Sequence, residues 1–200
     1  MSHQNILNIE SLDSVNRKRI EDLKEDINLN LNNCSYIIDG KVLDMVLLTD
    51  DTINDSKLIS HVKSDDCGAI STFYGTTRDN FEGKPVQSLS YETYDSMALE
   101  EMMAIITRLR CKWNIKRIII CHKKGDCPVG ETSVFIAISS PHRVEALHAT
   151  EYAINELKAK VPIWKKEIYD TGDSTWKANK EQAKTTLYKF EQEQQQQDQN

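Results

Sequence analysis

The stretch Leu157-Lys-Ala-Lys-Val-Pro-Ile-Trp-Lys-Lys-Glu167 holds four lysines and one glutamate in a protein whose formal net charge is −6. Pro162 has no N–H to give a helix, and it biases Val161 towards extended backbone. A helix is therefore expected to end near Lys160, and an extended segment to begin at Ile163. Lys158 then rides the last helical turn and Lys165 the segment after it, so the turn can gather two ammonium groups in one place. Such a pair suits an anionic substrate or a carbonyl electrophile. It equally suits a solvated basic helix end that complements the helix dipole. Side chains alternate along an extended segment, which puts Lys165 and Glu167 on one face and Lys166 on the other.

Working outward, the helix that ends at Lys160 carries Leu147, Ala153, Ile154, Leu157 and Val161 on one face. Ser140 and Pro141 read as its N-cap and first residue. Upstream, residues 132–139 and 115–122 are apolar runs that predict buried strands. A long helix opened by Asp95 or Ser96 carries Met97, Leu99, Met102, Met103, Ile105, Ile106 and Leu109. Strands are expected over 43–49, 67–74 and 86–91, with a short helix between the first two, capped by Asp55 and carrying Leu58, Ile59 and Val62. Residues 76–80 and 123–130 read as loops, and 82–85 as a turn. Beyond Pro162, residues 163–169 are extended and lead into a turn at 172–174. The order β-α-β-β-α-β-β-α-β predicts an α+β protein, a compact single domain with helices packed on a mixed sheet. The domain is placed at 42–180. Residues 1–41 read as an N-terminal extension with a helix over 14–29 and an Asn-rich linker. Residues 181–200 read as a weak helix and a Gln-rich disordered tail.

Composition removes several classes of function. A chain of 200 residues with net charge −6 lacks the basic footprint of a nonspecific nucleic-acid binder. No apolar run approaches the length of a membrane span, and the N-terminus has no apolar signal core. The cysteines (Cys34, Cys67, Cys111, Cys121 and Cys127) are odd in number and form no C-x-x-C, which fits reduced thiols in the cytosol. Cys121, His122 and Cys127 match no zinc spacing and lack a fourth ligand, so no metal site is expected.

Three further stretches can join the lysines. His142 and Arg143 fall at a helix start, where free N–H groups and the positive dipole end favour anions. Arg78, in a loop after Thr76 and Thr77, can grip a phosphate or carboxylate with two parallel hydrogen bonds. Lys180, after Trp176, is a weaker candidate. Each also has a bland reading as a solvated cation, and Trp164 and Trp176 read as packing residues. Geometry constrains the set. Arg143 and Lys158 are fifteen residues apart on one helix, or about 22 Å. One small molecule cannot touch both ends in one subunit. If both act on one substrate, the expectation is a homodimer with composite pockets: Lys158 and Lys165 from one chain, His142 and Arg143 from the other.

Several separated motifs, taken together in order, resemble the large, catalytic subunit of molybdopterin synthase, most closely its eukaryotic form. They are Gly68-Ala-Ile-Ser-Thr-Phe-Tyr-Gly-Thr-Thr-Arg78, Tyr91-Glu-Thr-Tyr-Asp-Ser-Met-Ala98, Gly130-Glu131, Ser139-Ser-Pro-His-Arg143, and the stretch 157–167 continuing to Trp176. The resemblance covers roughly residues 42–180. One departure is His122-Lys123-Lys124-Gly125, where the family usually has His-Arg-x-Gly.

The resemblance implies an α/β hammerhead fold. It implies a sulfurtransferase that converts cyclic pyranopterin monophosphate to molybdopterin, building the dithiolene of the molybdenum cofactor. Sulfur would arrive as the C-terminal thiocarboxylate of a small ubiquitin-like subunit, within a cytosolic heterotetramer built on a large-subunit dimer. It implies that Lys158 and Lys165 are catalytic, that Arg78, His142, Arg143, Lys166 and Glu167 contact substrate, and that the subunit itself requires no cofactor or metal. Two other classes remain to be weighed: a non-catalytic adaptor for a ubiquitin-like tail, and an unrelated phosphate-binding module.

Overall fold

Two apolar runs make the centre of the fold. Ile118, Ile119 and Ile120 lie in one strand and Phe135, Ile136, Ala137 and Ile138 in the next, and each is 1% exposed or less. Strands with no polar alternation need cover on both faces. The computed structural model, which describes residues 34–39, 42–172 and 174–177, supplies that cover with helices.

The first sheet has five strands in the order β1 (Cys34–Asp39), β2 (Val42–Thr49), β6 (Arg117–Lys123), β8 (Thr132–Ser140) and β3 (Ala69–Thr76). It is mixed: β2 pairs parallel with β6, and the other pairings are antiparallel. Helices α2 (Asp95–Lys112) and α3 (Arg143–Lys160) cover one face, with Met102, Ile106, Ala149 and Ala153 in the same core as Val46, Ile118, Ile120 and Ile136. Helix α1 (Asp55–Val62) contacts β6 and β8 and buries Leu58 and Val62. Asp44, 1% exposed, anchors α2 to this sheet by accepting from the Arg110 guanidinium at 2.7 Å and from the Ile118 N–H at 3.1 Å.

The second sheet is antiparallel, in the order β10 (Ser174–Lys177), β9 (Ile163–Tyr169), β5 (Lys84–Thr93) and β4 (Asn80–Phe81), with β7 (Gly125–Pro128) also paired to β5. The α+β class and the mixed sheet are as expected, and a second, antiparallel sheet stands beside the mixed one. Four strands were not anticipated. β4 takes the last residue of the 76–80 loop together with Phe81, β7 lies inside the loop read over 123–130, and β10 begins at the last residue of the 172–174 turn. β1 lies within the residues read as an extension and pairs along the edge of β2.

Several boundaries move for identifiable reasons. Ser140 still pairs with Ala69, so β8 continues through it. The N-cap of α3 is therefore His142, at φ −130° and ψ 152°, and Pro141 precedes the cap instead of opening the helix. Asn54, not Asp55, caps α1, its side chain accepting from the Lys57 N–H at 3.2 Å. On α3 the buried stripe runs through the small residues Ala146, Ala149 and Ala153, while Leu147 is 58% exposed. Met97 on α2 is also exposed. At the other end of α3 the proline reading holds. The helix stops at Lys160, Val161 is extended at φ −72° and ψ 127°, and β9 starts at Ile163. The helices expected over 14–29 and 181–190, and Lys180, lie outside the described residues.

Candidate active site

A cavity of about 390 Å³ opens where the two sheets meet the C-terminal end of α3. Each of its charged side chains is placed by a local feature of the sequence. Lys158 comes from the last turn of α3. Pro162 reverses the chain into β9, and Lys165 and Glu167 come next on one face of that strand, opposite Tyr91 and Leu89 of β5. Arg78 lies just past β3, whose pairing with β8 shifts register between Gly75 and Thr76. Such a bulge bends the strand and re-aims the residues beyond it. Gly75 is required there, because an added Cβ would sit 2.4 Å from Val134 Cγ1. Arg78, Lys158, Lys165 and Glu167 all line the cavity.

The balance of charge in this pocket opposes that of the chain. Three cations face one carboxylate, and that carboxylate is engaged: Glu167 is 2% exposed and accepts from the Tyr169 hydroxyl at 2.7 Å. The same bond pushes the Tyr169 phenol up to about 12. Among the described residues neither Arg78 nor Lys158 forms an ion pair. Cations on a low-dielectric wall attract an anion far more strongly than the same charges in open water.

The inner wall is uncharged, and sequence reading missed it. Tyr91 and His122 line the cavity and meet edge to face with ring centroids 5.0 Å apart. Burial pushes the Tyr91 phenol up to about 12 and the His122 imidazole down to about 4, so both are neutral near pH 7. His122 Nδ1 lies 2.7 Å from the Lys123 carbonyl oxygen. A carbonyl only accepts, so Nδ1 carries the proton and Nε2 keeps its lone pair. The available signals were slight: His122 ends an apolar run, and Tyr91 opens a motif noted only for its resemblance.

The remaining candidates lie elsewhere. His142 and Arg143 are exposed at the opposite end of α3 and do not line the cavity. Lys166 points to the outer face of β9, its Nζ 5.7 Å from the ring centroid of Trp176, which sits directly across from it on β10. Trp164 is 38% exposed and packs edge to face with Tyr94. Among the described residues no group of three His, Cys, Asp or Glu side chains is placed to hold a metal ion, and no helix is long and apolar enough to cross a membrane.

The family model described as MoaE protein matches residues 48–160. The chain is 55% identical over 141 residues to a molybdopterin synthase catalytic subunit of Drosophila melanogaster, covering 70% of this chain but 38% of that protein. It therefore spans well under half the length of that relative. A human protein of the same name is 50% identical over 144 residues, covering 72% of this chain and 76% of the human one. The crystal structure of molybdopterin synthase from Staphylococcus aureus superposes with a TM-score of 0.62 at 34% identity, covering 65% of this chain and 94% of that one. A family match across more than half of the chain, with relatives at 50% identity or better, places this chain in the MoaE protein family.

Proposed function

We propose that this chain is the catalytic subunit of a molybdopterin synthase. It would act in the cytosol as a sulfurtransferase, moving sulfur from the C-terminal thiocarboxylate of a small ubiquitin-like subunit to cyclic pyranopterin monophosphate. The observation that carries this reading is the convergence of Lys158, Lys165 and Arg78 on one cavity in an acidic protein. Arg78 suits the substrate phosphate, which it can hold with two parallel hydrogen bonds. Sulfur attack and opening of the cyclic phosphate both build negative charge, and a fixed ammonium stabilises that charge in the transition state. Lys165, on a rigid strand beside the neutral Tyr91–His122 wall, and Lys158, on the helix end above it, supply those ammonium groups and can carry protons to and from the leaving groups.

The distance between the ends of α3 supports a shared site. His142 and Arg143 would reach the substrate of a neighbouring copy, within a heterotetramer of two large and two small subunits.

The test is a reconstitution of this protein with a thiocarboxylated small subunit and cyclic pyranopterin monophosphate, assayed for molybdopterin. Product that disappears in Lys165→Ala is the expected result. Stable binding of the small subunit with no turnover would favour an adaptor, and neither binding nor product would overturn the assignment. Mixing Lys165→Ala with Arg143→Ala tests the shared site. Mixed dimers should regain part of the activity, and failure to complement would refute the composite pocket.

A further inference from the structure

Arg78 is one exposed residue suspended between two pinned neighbours. On one side, the Asp79 carbonyl accepts from the Val86 N–H at 2.8 Å. On the other, Thr77 is 3% exposed and held twice: its N–H donates to the Glu131 carbonyl at 3.0 Å, and its own carbonyl accepts from the Gly130 N–H at 2.9 Å. The Thr77 hydroxyl also meets Cys127 Sγ at 3.4 Å. The second pin is thus the turn 128–131, closed by the Glu131 N–H donating to the Pro128 carbonyl at 3.0 Å. Pro128, Val129 and Gly130 of that turn are exposed. Its anchored side chain is Glu131, which accepts from Lys123 Nζ at 2.8 Å and from the Thr52 hydroxyl. Lys123 is 5% exposed and the Glu131 side chain 21% exposed, so the pair is sheltered on the lysine side.

We propose that Glu131 is a positioning residue for Arg78. Clamped by Lys123 and Thr52, its carboxylate fixes the turn that holds Thr77, and so sets where the Arg78 guanidinium meets an anionic substrate. The inference rests on the proposed reaction, in which Arg78 binds the substrate phosphate. It also gives a role to Lys123, the position at which the chain departs from the His-Arg-x-Gly pattern. Lysine keeps the charge that Glu131 requires.

The test is a double-mutant cycle in the reconstituted reaction, with Glu131→Gln, Arg78→Ala and the double variant. Glu131→Gln should raise KM for cyclic pyranopterin monophosphate about tenfold and leave kcat within about twofold, the pattern of lost substrate binding. In the Arg78→Ala background it should change KM by less than about twofold, since coupled residues are not additive. Amide exchange at Thr77 should quicken in Glu131→Gln and stay unchanged in Arg78→Ala. If Glu131→Gln does not fold, Thr52→Val removes one clamp from an exposed residue, and a KM rise of about threefold that vanishes without Arg78 is expected. An unchanged KM in a folded variant, or a full effect without Arg78, overturns the proposal while leaving the reaction intact. No product from the wild-type protein overturns the reaction, and this inference with it.

Discussion

The two sheets do different work, and their strands differ in pattern. In the first sheet, β6 and β8 are buried at every position after the first. Helices cover most of both its faces, and only the end that carries Gly75, His122 and Val134 opens on the cavity. In the second sheet, β9 alternates: Ile163, Glu167 and Tyr169 are buried, while Trp164, Lys166 and Ile168 face outward. A strand buried on both faces serves mainly to stabilise. An alternating strand offers one face to the core and leaves the other for contact, and here Lys165 and Glu167 sit on the inward face at the mouth of the cavity. Stability should therefore be concentrated in the first sheet and chemistry in the second and on the helix end beside it.

The sharpest way to break that division is to remove charge from the cavity. Lys158 is exposed and makes no ion pair among the described residues, so Lys158→Ala should leave the melting temperature within about 2 °C of wild type. Turnover in the reconstituted reaction should fall about a thousandfold, or about 4 kcal/mol of transition-state stabilisation. Equal loss of stability and activity would mean that the helix end is structural after all.

The converse change lies in the first sheet. Ile118 is fully buried in the core between the sheet and α2 and α3. Ile118→Ala should cost about 3 kcal/mol through lost burial and the cavity left behind. Thermal unfolding should shift down by about 10 °C, while KM at a temperature where the variant is folded stays at the wild-type value. A raised KM would show that the packing of the first sheet's core sets the geometry of the site.

These assignments differ in how far the sequence revealed them. The isoleucine run in β6 and the end of α3 at Pro162 were legible because both are local: unbroken apolarity, and a residue that cannot continue a helix. The placement of Lys166 on the face of β9 opposite Lys165 was legible too, since the two-residue period of a strand sends neighbours to opposite faces. The split into two sheets was not legible, because it depends on β5 choosing β9 and β7 over β3, a choice made by tertiary packing. The wall of Tyr91 and His122 was hidden for the same reason. A histidine at the end of an apolar strand carries no local mark of what faces it.

His122 sits where the sheets meet, and titration tests whether it belongs to the buried side. Its folded pKa is about 4 against an ordinary 6.5. Between those values the unfolded chain binds a proton that the folded protein refuses, so folding is penalised as pH falls below 6.5 and unaffected above it. From pH 7 to pH 5 the loss is about 2 kcal/mol, readable from urea midpoints. His122→Asn should cut the difference to below about 0.5 kcal/mol, whereas an undiminished difference would place the titrating group elsewhere.

The finest division is within β9 itself. Lys165 and Lys166 are adjacent in sequence, equal in charge and equal in length, and only the strand period separates them. Lys166 Nζ stands 5.7 Å from the Trp176 ring centroid on the outer face, a contact between partly exposed groups. Such a cation–π pair contributes about 0.5 kcal/mol. Lys166→Ala should therefore lower stability by no more than that amount and change kcat/KM by less than about twofold. If it instead weakened the reaction as Lys165→Ala is expected to, charge near the cavity would matter more than the face that carries it. The inward-facing geometry of β9 would then lose its claim to be the catalytic feature.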